Sequence, residues 1–148
     1  MVSLKKNKSI SVAQKVLSLK IDALKLLKKS INQDFEKAVN AIISCPSKII
    51  LCGVGKSGLI ASKIASTMSS VGSPAFSLSA NDCLHGDLGS ISKKDLLILI
   101  SNSGKSEELL PIIKFANRNK IKLIGIVSKK NSSLYKGSDI RILVPEVK

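Results

Sequence analysis

The sequence is poor in residues on which several classes of protein depend. Its 148 residues include no tryptophan, one tyrosine and three phenylalanines, so few aromatic rings are available to stack on nucleic-acid bases. Its three cysteines, Cys45, Cys52 and Cys83, are odd in number and show no Cys-x-x-Cys spacing. This pattern excludes a disulfide framework and a cysteine zinc site, and free thiols are typical of a reducing compartment.

Long apolar runs are also absent. No stretch approaches the roughly 20 apolar residues that span a bilayer. The N-terminus reads Met-Val-Ser-Leu-Lys-Lys and has no apolar segment behind it of the kind found in a signal peptide. We therefore expect a soluble, cytoplasmic protein with no membrane partner.

Acidic residues are few, and 24 basic residues against 10 acidic ones give a net charge of +14. Such a charge raises the question of nucleic-acid binding. Only Arg118 and Arg141 are arginines, although arginine is the residue best suited to bidentate recognition of phosphates and bases. The lysines are spread along the chain, which favours a solvated surface and no nucleic-acid partner. A basic nucleic-acid-binding domain stays as an alternative, and its affinity would fall steeply with salt.

Five short apolar runs alternate with helical periodicity in the second part of the chain. Residues 1–10 are polar and predict a flexible end, whereas residues 11–148 predict one domain that begins with helices from Ser11 and from Asn32. Strands alternating with helices predict a parallel, doubly wound α/β sheet. The five predicted strands are Lys48–Cys52, Ala75–Leu78, Leu96–Ile100, Leu123–Val127 and Ile140–Val144.

A glycine-rich loop, Gly53-Val-Gly-Lys-Ser-Gly58, follows the first predicted strand. It matches the dinucleotide-binding pattern G-x-G-x-x-G, but the next strand ends without a carboxylate for the ribose, the first being Asp82. It also has the Gly-Lys-Ser tail of a P-loop, which is excluded because Ile50 replaces that motif's first glycine. An anion-binding helix N-terminus with Lys56 and Ser57, or merely a tight glycine turn, explains the loop equally well.

The loop Ser101-Asn-Ser-Gly-Lys-Ser106 follows the third predicted strand. Ordinary helix capping accounts for one serine, but three serines in six residues, opposite a second anion-ready loop, favour phosphate binding. Glu107 and Glu108 are predicted in the first turn of the next helix. There they either complement its dipole or hold a carboxylate for proton transfer.

His85 is the only histidine and lies in the loop Leu84-His-Gly-Asp-Leu-Gly89. A lone loop histidine is more often structural or solvated, but this loop should lie near the carboxyl edge of the sheet. Together, the segments Gly53–Gly58, Ala80–Gly89 and Ser101–Gly104 with Glu108 resemble the SIS (sugar isomerase) domain of arabinose-5-phosphate isomerases.

The resemblance implies a five-stranded, flavodoxin-like parallel sheet flanked by helices. It implies interconversion of D-arabinose 5-phosphate and D-ribulose 5-phosphate for Kdo and lipopolysaccharide synthesis, by a homo-oligomer that uses no organic cofactor. No metal ligand is assigned, and the sequence does not decide whether a metal binds at His85. By motif position, Lys56, His85 and Glu108 would be catalytic. The positions that would bind substrate and phosphate are Gly55, Ser57, Ser101, Asn102, Ser103, Gly104 and Ser106.

Two departures from the family pattern affect these expectations. Lys105 stands where the family usually has glutamate. The chain stops at Lys148, where the family continues with a further glutamate, a long core helix, a Ser-His-Pro segment and often two CBS modules. We therefore expect weak or no turnover. A SIS domain that senses a sugar phosphate without converting it is the main alternative, and a SIS isomerase for sedoheptulose 7-phosphate or an amino sugar phosphate is another.

Overall fold

The computed structural model describes residues 6–146, which divide into two compact units. One unit comprises Asn32–Val144, and the other contains the first helix and the residues that follow Val144. That first helix, α1, spans Lys6–Ser30. It begins earlier than the predicted start at Ser11, so residues 6–10 belong to this helix. Residues 1–5 lie outside the described residues.

The second unit follows the predicted alternation of strands and helices, and each predicted strand is present within a residue of its expected ends. A 3₁₀ turn at Asp87–Ser90 is the one element between α4 and β3. The remaining elements are α2 Gln33–Ile43, β1 Ile49–Gly53, α3 Lys56–Ser70, β2 Ala75–Ser79, α4 Ala80–Leu84, β3 Leu96–Ser101, α5 Leu109–Asn119, β4 Lys122–Val127, α6 Ser133–Gly137 and β5 Ile140–Leu143.

The five strands form one sheet in the order β2-β1-β3-β4-β5, and every neighbouring pair is parallel. This confirms the doubly wound, five-stranded α/β fold. In the register of the sheet, Gly53 pairs with Ser79 on one side and with Ile100 on the other. The carboxyl ends of β2, β1 and β3 are therefore level, and the loops that follow them start at one edge.

Alternate residues of the central strands enter two separate cores. Ile50, Leu97 and Leu123 pack on one face with α5 and α6, whereas Leu51 and Ile98 pack on the other with α2 and α3. Because both faces are covered, the strands are apolar at nearly every position, as is typical of buried parallel sheets. This two-sided burial explains why the sequence shows unbroken apolar runs here.

The face that α3 turns to the sheet differs from the one that large side chains suggest. Spacing alone favours a core stripe that includes Ile60 and Val71, but these side chains are 54% and 76% exposed. The fully buried positions are Ala61 and Ala65. Small side chains let α3 lie close to β1 and β2, and this brings its N-terminus against the end of β1.

Candidate functional site

The strand order reverses between β1 and β3. From β1 the chain moves to β2 at the sheet edge, then returns to add β3 on the other side of β1. Such a switch point opens a crevice beyond the carboxyl ends of the two strands, where doubly wound proteins bind their ligands. The two loops singled out in the sequence, Gly53–Gly58 and Ser101–Ser106, both flank this crevice.

The loop after β1 brings the N-terminus of α3 against the end of the strand. A Cβ atom on Gly53 would lie 2.7 Å from the carbonyl carbon of Ser57 and 2.9 Å from the amide nitrogen of Gly58, so only glycine fits. Gly55 precedes the helix with φ of 56° and has no side chain to cap it. The positive end of the α3 dipole therefore lies beside the crevice, next to the exposed side chain of Lys56. The Ser57 and Leu59 amides of this turn donate to the carbonyls of Val54 and Gly55.

The loop after β3 is braced from within by Ser101. This buried hydroxyl accepts a hydrogen bond from the Gly104 amide at 3.0 Å and lies 3.3 Å from the hydroxyl of Ser106. Ser103 is exposed, and its hydroxyl accepts from the Lys105 amide at 3.3 Å. Ser101 thus shapes the loop, while Ser103 lies on its outer side.

The same loop is anchored to the segment after β4, which the sequence reasoning did not assign to the site. The Ser128 amide donates to the Asn102 carbonyl at 3.1 Å, and the Ser128 hydroxyl donates to Asn102 Oδ1 at 2.8 Å. The Leu134 amide donates to the Gly104 carbonyl at 3.1 Å. The sequence does contain a signal for Ser128, because this residue follows β4 just as the serine loop follows β3.

The two glutamates lie just before α5 and not in its first turn, which corrects the predicted start of that helix. α5 begins at Leu109, and Glu108 is its N-cap residue without a side-chain capping bond. The helix starts late because a turn precedes it, in which the Leu109 amide donates to the Ser106 carbonyl at 3.1 Å. Glu107 is exposed and Glu108 is half-buried. Both carboxylates still lie at the positive end of the α5 dipole.

His85 lies at the end of the short helix α4, exposed, with its amide donating to the Asp82 carbonyl at 2.9 Å. The preceding residue, Leu84, lines a cavity of about 490 Å³ together with Glu107 and Glu108. The structure therefore brings the histidine loop and the glutamates to one cavity. No single contact joins His85 to Lys56 or Glu108 among the described hydrogen bonds and ion pairs.

Two buried thiols connect the histidine loop to the first strand. Cys52 of β1 and Cys83 of α4 are both buried in the same hydrophobic core. Burial, with the neighbouring Cys83, raises the pKa of Cys52 to about 12. Burial, with the nearby carboxylate of Asp87, also raises the pKa of Cys83. Both groups are neutral thiols at physiological pH, so they pack α4 against β1 and are not nucleophiles.

Two absences apply to residues 6–146 of the chain. Within that range, no three side chains of His, Cys, Asp or Glu come close enough together to hold a metal ion. In the same part of the chain, no helix has the length and apolar character required to cross a bilayer.

The fold and the two loops define a doubly wound α/β domain with a glycine-rich loop and a serine-rich loop at its switch point. Residues 42–148 match the model of the SIS domain family, and the chain belongs to that family. It is 42% identical over 135 residues to an uncharacterized protein of Rickettsia prowazekii. It is 41% identical over 131 residues to the arabinose 5-phosphate isomerase KdsD of Yersinia pestis. These matches cover 91% and 88% of this chain but only 42% and 40% of those proteins, so the chain spans about two fifths of their length.

Solved structures show the same relationship. The protein c3406 of E. coli CFT073, in complex with arabinose 5-phosphate, superposes with a TM-score of 0.91 at 32% identity, covering 98% of this chain and 77% of that one. A putative sugar-phosphate isomerase of Listeria monocytogenes superposes with a TM-score of 0.92 at 30% identity, covering 99% and 76%. The resemblance noted in the sequence is thus confirmed at the level of the family.

Proposed function

We propose that this chain binds a phosphorylated sugar in the crevice between β1 and β3 and belongs to an aldose–ketose isomerase. One observation carries the proposal. Side chains of Asn32, Ser79 and Ser132 cap the helices α2, α4 and α6, whereas α3 and α5, which begin beside the crevice, have no side-chain cap. The α3 N-terminus, which has no side-chain cap, suits a phosphate. In α5 the Leu109 and Leu110 amides donate to the Ser106 and Glu107 carbonyls and Pro111 has no N–H, so the second loop contributes its serine hydroxyls instead.

Each loop residue takes a role in this proposal. The phosphate accepts hydrogen bonds from the exposed hydroxyl of Ser103 and from those of Ser57 and Ser106. Three further residues hold the loops in shape. These are Gly55, whose positive φ opens the α3 N-terminus, Ser101, whose buried hydroxyl braces Gly104, and Asn102, which is fixed by Ser128.

The proposed substrate is D-arabinose 5-phosphate, converted reversibly into D-ribulose 5-phosphate. Isomerisation moves a proton between C2 and C1 of the open sugar through an enediolate, which needs a positioned acid–base group and a cation facing the oxyanion. Glu108 at the cavity wall is the proton-transfer group, Lys56 stabilises the oxyanion, and His85 binds substrate hydroxyls. The proposal adds no metal or organic cofactor.

The relatives support this choice of substrate, because several are named arabinose 5-phosphate isomerase and a structural neighbour holds arabinose 5-phosphate. The role in Kdo and lipopolysaccharide synthesis, the cytoplasmic location and assembly into a homo-oligomer belong to the same proposal. The whole protein's activity is proposed only, since the chain matches about two fifths of those relatives.

Binding is tested by calorimetric titration with D-arabinose 5-phosphate, with D-arabinose as the ligand that lacks phosphate. We expect saturable binding that requires the phosphate. Ser103→Ala should weaken it at least tenfold, since a hydrogen bond to a charged group contributes about 1.5–3 kcal/mol. Ser66→Ala, on the exposed side of α3, is the matched control and should bind like the wild type. Equal binding of both sugars, or none by a folded chain, would contradict the proposal.

Turnover separates the isomerase from a SIS domain that only senses the sugar phosphate. The chain is incubated with D-arabinose 5-phosphate in D₂O, and NMR follows ribulose 5-phosphate and deuterium at the exchanging carbon. Product that is lost in Glu108→Gln, with binding retained, supports the isomerase. Tight binding without product or exchange supports the sensor.

A further inference from the structure

A cavity of about 300 Å³ lies at the amino edge of the sheet, at the opposite end of the strands from the sugar-phosphate crevice. Three lysines line it, namely Lys93, Lys94 and Lys122, and Asp95 is the one acidic residue among those that form its wall. A volume of this size is at the lower end of the range for small-molecule sites. The proposed isomerase reaction makes no use of this basic cavity.

Lys93 and Lys94 are held in place by a tight turn. The Asp95 amide donates to the Ser92 carbonyl at 3.1 Å, and the Ser92 amide donates to the Asp95 carboxylate at 2.6 Å. The two lysines are the central residues of this turn, and the carboxylate that closes it is fully buried. Two adjacent exposed lysines are therefore carried by a backbone that the interior of the protein fixes.

Lys122 stands where the alternation of the sheet predicts an apolar side chain. It is the first residue of β4 and pairs with Leu96 of β3. Leu96, and Ile124 two residues after Lys122, both pack in the core that α2 covers, and residues two apart in a strand share a face. Lys122 therefore lies at the rim of that core, where it is exposed. A charged residue at a core-facing position is a departure of the kind found at functional sites.

The charge of these three lysines is not neutralised by the protein. The Asp95 carboxylate is already bonded to the Lys48 ammonium at 2.9 Å. Within residues 6–146, none of the three cavity lysines forms an ion pair. Like charges around a small cavity repel one another, and an anion placed between them replaces this repulsion with attraction.

The rest of the cavity wall is mostly apolar. Ala41 and Leu96 contribute carbon atoms, and Cys45 contributes a half-buried thiol. The Cys45 sulfur lies 3.6 Å from the Lys48 carbonyl oxygen and 3.8 Å from that of Lys94. The segment after α2 is thus joined to the segments that lead into β1 and β3. An apolar wall beside three ammonium groups suits a ligand that has both a carbon skeleton and negative charges.

We propose that this cavity is a second ligand site, which binds a small organic anion carrying several carboxylate or phosphate groups. The ammonium groups of Lys93, Lys94 and Lys122 pair with the anion, and the apolar wall covers its carbon atoms. Lysine suits either kind of group, because its ammonium is a point charge with three rotatable donors and not a fixed fork. The site does not depend on the isomerase reaction.

Binding is tested on the full chain by calorimetric titration with citrate and, separately, with inorganic pyrophosphate, at constant ionic strength. We expect saturable binding of one anion per chain, and the tighter probe shows whether carboxylate or phosphate groups are preferred. Lys93→Gln/Lys122→Gln should weaken binding about tenfold or more, because it removes two of the three positive charges.

The matched control is Lys63→Gln/Lys114→Gln, at exposed positions of α3 and α5. It removes the same charge from elsewhere on the chain and should change the affinity no more than about twofold, since distant exposed charges are screened. All four lysines are exposed, so the variants should keep the stability of the wild type, which circular dichroism checks.

Cys45 reports where the anion binds, because its thiol lies in the cavity wall. At a probe concentration of about ten times the dissociation constant, modification of Cys45 by iodoacetamide should slow about tenfold, since only the free chain reacts. This protection should disappear in Lys93→Gln/Lys122→Gln at the same probe concentration. Mass spectrometry of the modified peptide measures the rate. Binding that leaves Cys45 unprotected would place the anion elsewhere and overturn the proposal.

The remaining outcomes also decide the proposal. Equal weakening in both double variants would show a response to the overall charge of +14 and would overturn the second site, as would the absence of saturable binding. Ser103→Ala should leave the affinity for the probe unchanged. If it weakens probe binding while Lys93→Gln/Lys122→Gln does not, the anion occupies the crevice between β1 and β3. That result would overturn the second site and leave the proposed function in place.

Discussion

Asp95 stabilises the amino edge of the sheet, and replacing it tests how that edge is held together. Its side chain is fully buried and carries a charge. One carboxylate oxygen accepts from the Ser47 hydroxyl at 2.7 Å. The other accepts from the Lys48 ammonium at 2.9 Å and from the Ser92 amide at 2.6 Å. The carboxylate thereby joins the segments that lead into β1 and β3.

The amount by which Asp95 stabilises the fold follows from the ionisation of its carboxyl group. Burial alone would raise the pKa of Asp95, but the hydrogen bonds from Ser92, Ser47 and Lys48 outweigh it and lower the pKa from 3.8 to about 2. Each pKa unit corresponds to about 1.4 kcal/mol, so ionised Asp95 stabilises the fold by about 2.5 kcal/mol. Because the folded-state pKa is the lower one, this contribution is complete above about pH 4 and is lost as the pH falls toward 2.

The substitution Asp95→Asn should therefore lower the free energy of unfolding by about 2–3 kcal/mol at pH 7, measured by urea denaturation. The difference in the free energy of unfolding between this variant and the wild type should narrow between pH 4 and pH 2. Asp34→Asn is the matched control, because Asp34 forms an exposed ion pair with Lys37 at 2.9 Å and should cost less than about 0.5 kcal/mol. Equal losses in both variants, or a gap that stays constant down to pH 2, would refute the reasoning.

Two further predictions concern the loop after β1 and the thiols. Gly53→Ala should weaken binding of D-arabinose 5-phosphate more than tenfold in calorimetry, because its Cβ would lie 2.7 Å from the backbone of Ser57 and displace the N-terminus of α3; unchanged affinity would show that this close approach does not shape the site. In the native chain, iodoacetamide should modify the half-buried Cys45 first, while Cys52 and Cys83 react only on unfolding, even at pH 9, because burial raises the pKa of Cys52 to about 12. Mass spectrometry of the modified peptides measures this, and native modification of Cys52 as fast as Cys45 would contradict it.

The sheet could be predicted from the sequence because its strands are buried on both faces. Leu96–Ile100 is apolar at every position, and such a run has few alternatives in a chain with intervening helices. The face of α3 could not be predicted, because Ala61 and Ala65 carry too little apolar surface to mark a core stripe against Ile60. Their burial follows from the close approach of α3 to the sheet, which is a tertiary property.

The loops could be located from the sequence, but the roles of their serines could not. Ser101 and Ser103 are two residues apart and chemically identical, yet the first is buried and bonded to the Gly104 amide, and the second lies outside. The turn at Gly104, with φ of 64°, sets that difference, and no local pattern shows it.

Helix capping and phosphate binding are alternative roles for Ser103 and Ser106. The start of α5 distinguishes between these two roles. A capping serine would stand at the N-cap and accept from an amide in the first turn. The N-cap position is held by Glu108 instead, with no side-chain bond, and neither Ser103 nor Ser106 accepts a bond from an α5 amide. The hydroxyls are therefore not used to stabilise the helix that follows them. This favours a ligand as their partner, and Ser103→Ala measures that role by its effect on affinity with little change in the stability of α5.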